Sequence, residues 1–283
     1  MSTVKWYLLN MQFWIISFDV TLGFLSIPFM LIPRLAGFPL GVASYFGIST
    51  LSQTMMMIYF LAFTLISIIA VFENRFNALC TFSFQRHWKF WRRPFLYAHF
   101  IVLPSIFVPF AFMVPEQSEA LRRVFQNLPC LPKYIYEAPV FVFNENYVYL
   151  VTSVVIFCFT LLLELIFFVS CLLTNTLHQM NSRRISVRTF QIQKQLVNAL
   201  IIQSFLPLTA LGLPMLYAWM SVMFDYYNQR CMNIALVICS THGFFSTVVM
   251  ISVHKPYRNV FIRLMFSAKK WYDEKKNENI QFG

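Results

Sequence analysis

Six stretches of this 283-residue chain are each long and apolar enough to cross a bilayer as a helix. They run roughly over residues 8–32, 48–72, 95–114, 147–173, 196–220 and 231–253. That pattern leaves few folds. Inside a hydrocarbon layer every backbone N–H and C=O must be satisfied by the protein itself, which leaves helices or a closed barrel. Runs of 20 or more apolar residues are too long for barrel strands. The expected fold is therefore an all-α membrane bundle over residues 1–256, with a cytoplasmic tail over residues 257–283. Pro104 and Pro109 interrupt the third run, and Pro207 and Pro214 the fifth. Neighbouring helices can take over the carbonyls that such prolines free.

The charged residues agree with that reading. They make up 12% of the chain, about half the usual share of a soluble domain. The net charge of +11 is not a nucleic-acid patch, because the basic residues are parcelled out between the apolar runs. With both termini inside, 17 Lys and Arg residues fall on the inner side and 5 on the outer side. Cytoplasmic loops carry that excess. Loop 115–146 then lies outside and the basic loop 174–195 inside. The spacing of the six cysteines fits no metal motif, and no cofactor is implied. Catalytic signatures such as HExxH, or GxSxG at a suitable site, are missing, so no enzyme is expected. There is no evident internal repeat, which argues against a transporter of inverted halves.

Polar residues inside or beside the spans are the candidates for function. Glu73-Asn74-Arg75 closes the second run. It is either a charged flank that stops the span or a switch, with the arginine held by a local acid in one state and released in another. Asp19 lies within the first run and Glu164 within the fourth, where an acid is costly unless it faces the bundle interior. Cys130 and Cys231 are the two cysteines placed outside, where a disulfide can form. Met55-Met56-Met57 with Tyr59 and Phe60 suits either ordinary packing or an adaptable apolar pocket. After Pro256 and Tyr257, residues Phe261, Leu264 and Met265 share one helical face, as in a helix lying on the inner leaflet.

Four stretches together carry a family resemblance: VKWYLLNMQFW, FDVTLGFLSIPFMLIPRLAGFPLG, SVRTFQIQKQLVNALIIQSFLP and THGFFSTVVMISVHKPYRNVF, with FENR between the second and third. In order and spacing they resemble the nematode serpentine receptors of class H (Srh), from about residue 4 to about residue 265. The resemblance implies a rhodopsin-like seven-helix receptor, here with six spans because the match begins after the first helix. It implies a chemosensory function in the plasma membrane, in sensory-neuron cilia. The implied partners are a heterotrimeric G protein and a small, apolar ligand, with membrane lipid around the bundle.

The resemblance also suggests roles. Glu73, Asn74 and Arg75 are similar to the acid–arginine pair that ends the third helix of rhodopsin-like receptors. Pro256 and Tyr257 resemble the exit of the last helix. Asp19 would sit opposite His242, Ser246 or Thr247, and Pro207 and Pro214 would let the fifth span bend. A truncated, non-signalling receptor fragment is the alternative, and a channel or transporter subunit a more distant one.

Overall fold

The computed structural model describes residues 2–79, 85–128, 131–181, 186–253 and 258–267. Among these residues, eight helices and three short strands precede the final helical stretch at 258–267. They are α1 (Ser2–Val20), β1 (Pro28–Met30), β2 (Leu35–Pro39), α2 (Thr50–Leu79), α3 (Gln85–Tyr97), α4 (Gln117–Asn127), α5 (Lys133–Glu137), β3 (Phe141–Asn144), α6 (Tyr147–Asn181), α7 (Val187–Met223) and α8 (Gln229–Val253). α3 continues as a π turn over Ala98–Val102 and a 3-10 segment over Leu103–Phe112. Six segments are long and apolar enough to cross a membrane: Lys5–Leu25, Thr50–Leu79, Gln85–Phe112, Tyr147–Gln179, Val187–Met223 and Gln229–Val249.

The number of spans matches the sequence expectation, but the boundaries differ for physical reasons. The first span ends at Leu25 and not at Ile32. Ile27 precedes Pro28, a position that disfavours helix, and its φ of 40° turns the chain into β1. The second continues past Phe72 to Leu79, so Glu73-Asn74-Arg75 lies inside the helix. The third starts at Gln85, which puts Arg86, Lys89, Arg92 and Arg93 on a helix and not in a loop. The fourth runs to Asn181, and the fifth covers Val187–Met223. Apolar-run counting stops at polar residues; a helix does not, where those residues find partners.

Local caps explain several ends. The Ser186 hydroxyl accepts the Thr189 N–H at 3.2 Å and starts α7. Asn228 Oδ1 accepts the Cys231 N–H at 3.2 Å and starts α8. At the far end of α2, Asn175 Nδ2 and Gln179 Nε2 of α6, one turn apart, both donate to the Leu79 carbonyl at 2.9 and 3.2 Å. They satisfy one of the carbonyls that a helix C-terminus leaves open.

Prolines in the spans are accommodated across helices. In the 3-10 segment Pro109 has no N–H for the Ile106 carbonyl three residues back. Tyr149 of α6 donates its hydroxyl to that oxygen at 3.3 Å. Pro214 frees the Ala210 carbonyl of α7, and the Cys239 thiol of α8 reaches it at 3.9 Å.

The main core lies among α1, α2, the third span and α6, around Ile15, Ile66, Phe72, Phe76, Phe110 and Phe168. A second, smaller core forms a cap outside the spans. There β1, β2 and β3 make an antiparallel sheet in that order, with Phe29 opposite Phe38 and Ala36 opposite Val142. Leu31, Val124, Ile135 and Val142 are buried beneath it. Gln117 extends the edge of β3: its Oε1 accepts the Val142 N–H at 2.9 Å and its Nε2 donates to the Val142 carbonyl at 3.1 Å. Arg34 ties the hairpin to Asp225 after α7 at 3.1 Å. Gly37 is required where β1 and β2 meet, because a Cβ there would overlap the Phe29 carbonyl.

Candidate functional site

A cavity of about 350 Å³ lies between the cap and the helices. β2 closes it on one side with Ala36, Gly37 and Phe38. Its walls come from Phe18 of α1, Met57 and Leu61 of α2, Phe157 of α6, Trp219 of α7 and Leu236 of α8. These side chains meet because each span turns one apolar face inward at the same depth. Among the described residues no Asp, Glu, Lys or Arg lines the cavity. The volume and the apolar walls fall in the range of small-molecule sites. Of the methionine run, Met57 reaches this wall while Met55 packs against the main core.

The far end of α2 carries a polar network. Glu73 is fully buried. Arg92 of α3 donates through Nε to both of its carboxylate oxygens, at 2.8 and 3.0 Å, and the Trp88 indole donates at 3.0 Å. Trp88 and Arg92 are four residues apart, so they share a helical face. Arg92 Nη2 donates to the Tyr7 hydroxyl of α1 and to Asn74 Oδ1, both at 2.9 Å. Its guanidinium also lies over the Tyr7 ring, 5.6 Å from the centroid. The arginine that holds the acid of the triplet is thus Arg92 from the next helix. The sequence expectation placed that role on the local pair with Arg75. One arginine fastens α1, α2 and α3 together.

Two further pairs lie within the spans. His99 Nε2 contacts both oxygens of Glu164 at 2.9 and 2.8 Å, and Nδ1 lies 2.8 Å from the Phe95 carbonyl. A carbonyl only accepts, so Nδ1 carries a proton. The Nε2 contact then needs one more proton, on the imidazole or on the carboxyl. The pair is net neutral either way, which resolves the cost of Glu164 in an apolar span. His99 gave no signal in the sequence because its partner is 65 residues away.

Between α1 and α8, His242 Nδ1 stands 2.7 Å from Asp19 Oδ1 and equally close to the Cys239 carbonyl. The ring N–H is directed at the carbonyl, so the carboxylate oxygen has no aligned donor. Gln12 Nε2 donates to Thr247 Oγ1 at 2.8 Å on the same interface. Ser246 is fully buried there. The close approach depends on Gly243, where a Cβ would overlap the Asp19 carboxylate.

The structure therefore brings Asp19, His242 and Ser246 to one interface, and Glu73 and Asn74 to another. Arg75 sits half-buried on α2 beside the second of these. Pro207 and Pro214 both lie within the continuous helix α7. Pro256, Tyr257 and Cys130 lie outside the described residues. Cys231 is a free, exposed thiol on the first turn of α8, and the partner expected for it, Cys130, is among the residues outside those described. Residues 258–267 form a helix exposed along its length.

The family model described as Serpentine type 7TM GPCR chemoreceptor Srh matches residues 1–267. Serpentine receptor class H-72 of Caenorhabditis elegans is 25% identical over 276 residues, covering 95% of this chain and 78% of that protein. No solved structure matches the chain.

Proposed function

Because the chain belongs to the Srh family of serpentine seven-helix chemoreceptors, we propose that it detects a small uncharged molecule in the capped cavity and signals to a heterotrimeric G protein at the opposite end of the bundle. The observation that carries the first half is the cavity itself: about 350 Å³, apolar, and walled by the cap and all six spans. A charged ligand would lose its hydration there without gaining a counter-charge. The second half rests on the polar end of α2, where Arg75 follows a buried, fastened acid. An arginine is always charged and can hydrogen-bond a partner's carboxylate or carbonyl. Pro207 and Pro214 supply the bend in α7 that would open a cleft beside it. The chain is a multi-pass membrane protein, and the place proposed for it is the plasma membrane of sensory cilia.

The test is a signalling assay in cells that carry a G-protein reporter, with surface delivery scored in parallel. An activating compound found in a screen of uncharged molecules is applied to three proteins. Ala218→Phe, which fills the cavity from α7, is expected to abolish the response at normal surface levels. Arg75→Ala is expected to do the same while leaving ligand binding intact. A full response from Ala218→Phe would remove the cavity from the proposal, and a full response from Arg75→Ala would remove the arginine.

A further inference from the structure

Most hydroxyls along these spans are silent, because they donate to a helix carbonyl three or four residues back. Thr21, Thr54, Thr64, Thr160, Thr176 and Thr209 all do so, at 2.7 to 2.9 Å. Ser26 is different. It is 1% exposed and lines the cavity, and its Oγ has no partner among the described residues. The reason is local. α1 ends in a π turn, and Ser26 leaves the helix with its backbone already committed. Its N–H donates to the Thr21 carbonyl at 2.8 Å, and its carbonyl accepts the Gly41 N–H at 2.9 Å. Gly41 lets the two segments touch, since a Cβ there would overlap the Leu25 carbonyl. The serine is pinned by its backbone, and its hydroxyl has no internal acceptor.

We propose that Ser26 is a specificity-determining residue of the cavity. It selects an uncharged ligand that carries one oxygen function, a ketone or an alcohol, on a hydrocarbon body. This rests on the reading of the cavity as the ligand site. Size follows from volume. A dry protein cavity of about 150 Å³ holds benzene, so about 350 Å³ takes roughly a dozen non-hydrogen atoms. Class follows from the walls. Thr54 lines the cavity but donates to the Thr50 carbonyl, and Cys239 lines it but is turned to the Ala210 carbonyl. Thr50, at the start of α2, also lines the cavity but is only half-buried. Ser26 is the lining hydroxyl that is fully buried with no partner among the described residues, left to donate to a ligand carbonyl or to accept from a ligand hydroxyl. A buried hydroxyl left unpaired is costly, so the ligand that pairs it gains over the hydrocarbon that does not.

The experiment uses the full chain in lipid nanodiscs, with binding read from quenching of intrinsic tryptophan fluorescence, since Trp219 lines the cavity. The probes are undecane, decan-2-one, decan-1-ol and decanoate, with concentrations corrected for partition into lipid. Decan-2-one and decan-1-ol are expected to bind roughly 2- to 10-fold tighter than undecane, the net worth of one neutral hydrogen bond. Decanoate is expected not to bind. Ser26→Ala should bring the ratio to about one with undecane binding unchanged, and Ser26→Thr should keep the preference. Equal binding of ketone and alkane to the wild type would overturn the assignment, as it would mean that a water satisfies the hydroxyl. An unchanged preference in Ser26→Ala would overturn it as well, as would tight binding of decanoate. Ala218→Phe separates the two readings. If it leaves all binding intact, the probes sit elsewhere and the cavity reading falls with the Ser26 one. If it blocks binding but the ratio is one, the Ser26 assignment alone falls.

Discussion

Removing the Arg92 side chain tests the account of the polar end of α2. In Arg92→Ala, Glu73 keeps the Trp88 indole and loses both charge-assisted hydrogen bonds from Nε. Asn74 and Tyr7 lose their shared donor at the same time. The carboxyl group is 0% exposed, so water does not replace what is lost. Breaking a buried ion pair from one side costs about 3–5 kcal/mol. At roughly 2 °C per kcal/mol for a chain of this size, the thermal midpoint should fall by roughly 6–10 °C. The assay is thermal unfolding of the purified protein in nanodiscs. Arg93→Ala, which removes an exposed charge from the next position of α3, serves as control and should move the midpoint by less than about 1 °C. The second arm is Glu73→Leu with Arg92→Met. Replacing both members of a buried pair by apolar groups is often neutral, so the double variant should recover most of the loss. A midpoint for Arg92→Ala indistinguishable from wild type would refute the reasoning. So would a double variant whose loss equals the sum of the two single losses, because contacting groups must couple.

Three further outcomes follow from the same structure. Gly243→Ala pushes a methyl group into the Asp19 carboxylate and should cost about 1–3 kcal/mol; in an Asp19→Ala background most of that cost should vanish, as paired melts would show. Tyr149→Phe leaves the Ile106 carbonyl without its cross-helix donor and should lower stability by about 0.5–1.5 kcal/mol, the net value of one hydrogen bond. Replacing Asn175 and Gln179 together by Ala and Leu uncaps α2, and amide exchange over residues 75–79 should quicken while that at the cap end of α2 is unchanged.

The sequence made the helices legible and left most of their partners hidden. Six spans follow from apolar length alone, because a bilayer asks only for length and low polarity. The family followed from motifs in fixed order, and the Srh match over residues 1–267 agrees with it. The caps at Ser186 and Asn228 are visible as short polar residues ahead of apolar runs. The sheet was not visible. β1 and β2 are three and five residues long and carry prolines at their ends, and β2 pairs with a strand more than a hundred residues later. Arg92 was also missed as Glu73's partner. It looked like one of five basic residues in an inner loop, yet Trp88 and Arg92 at a four-residue spacing are a helical signal that could have singled it out. Glu164 needed His99, and only the folded bundle brings the two together.

The strength of the Glu73–Arg92 pair limits how a signal can cross this bundle. Leu65 lines the cavity and Glu73 lies eight residues further along the same helix, about 12 Å away. A ligand shifts an equilibrium only by its differential affinity, typically about 1–3 kcal/mol. That is less than the roughly 3–5 kcal/mol lost when one partner of such a buried pair is taken away and the other stays buried. A neutral ligand is therefore expected to leave α2 and α3 together at this end, moving as one body. Among the described residues α7 carries no buried ion pair of this kind. It runs unbroken from Val187 to Met223 and carries Pro207 about 20 Å from Lys194, near its N-terminal end. A bend of about 15° at that proline would carry Lys194 roughly 5 Å by simple leverage over that length. Spin labels at Ala78 of α2, Arg93 of α3 and Lys194 of α7, all exposed positions, measure the difference. The Ala78–Arg93 distance should hold when an activating ligand is added, and the Arg93–Lys194 distance should lengthen by several ångströms. A lengthening of Ala78–Arg93 with Arg93–Lys194 unchanged would mean that the buried pair opens after all, and that the moving part is the one this energy comparison forbids.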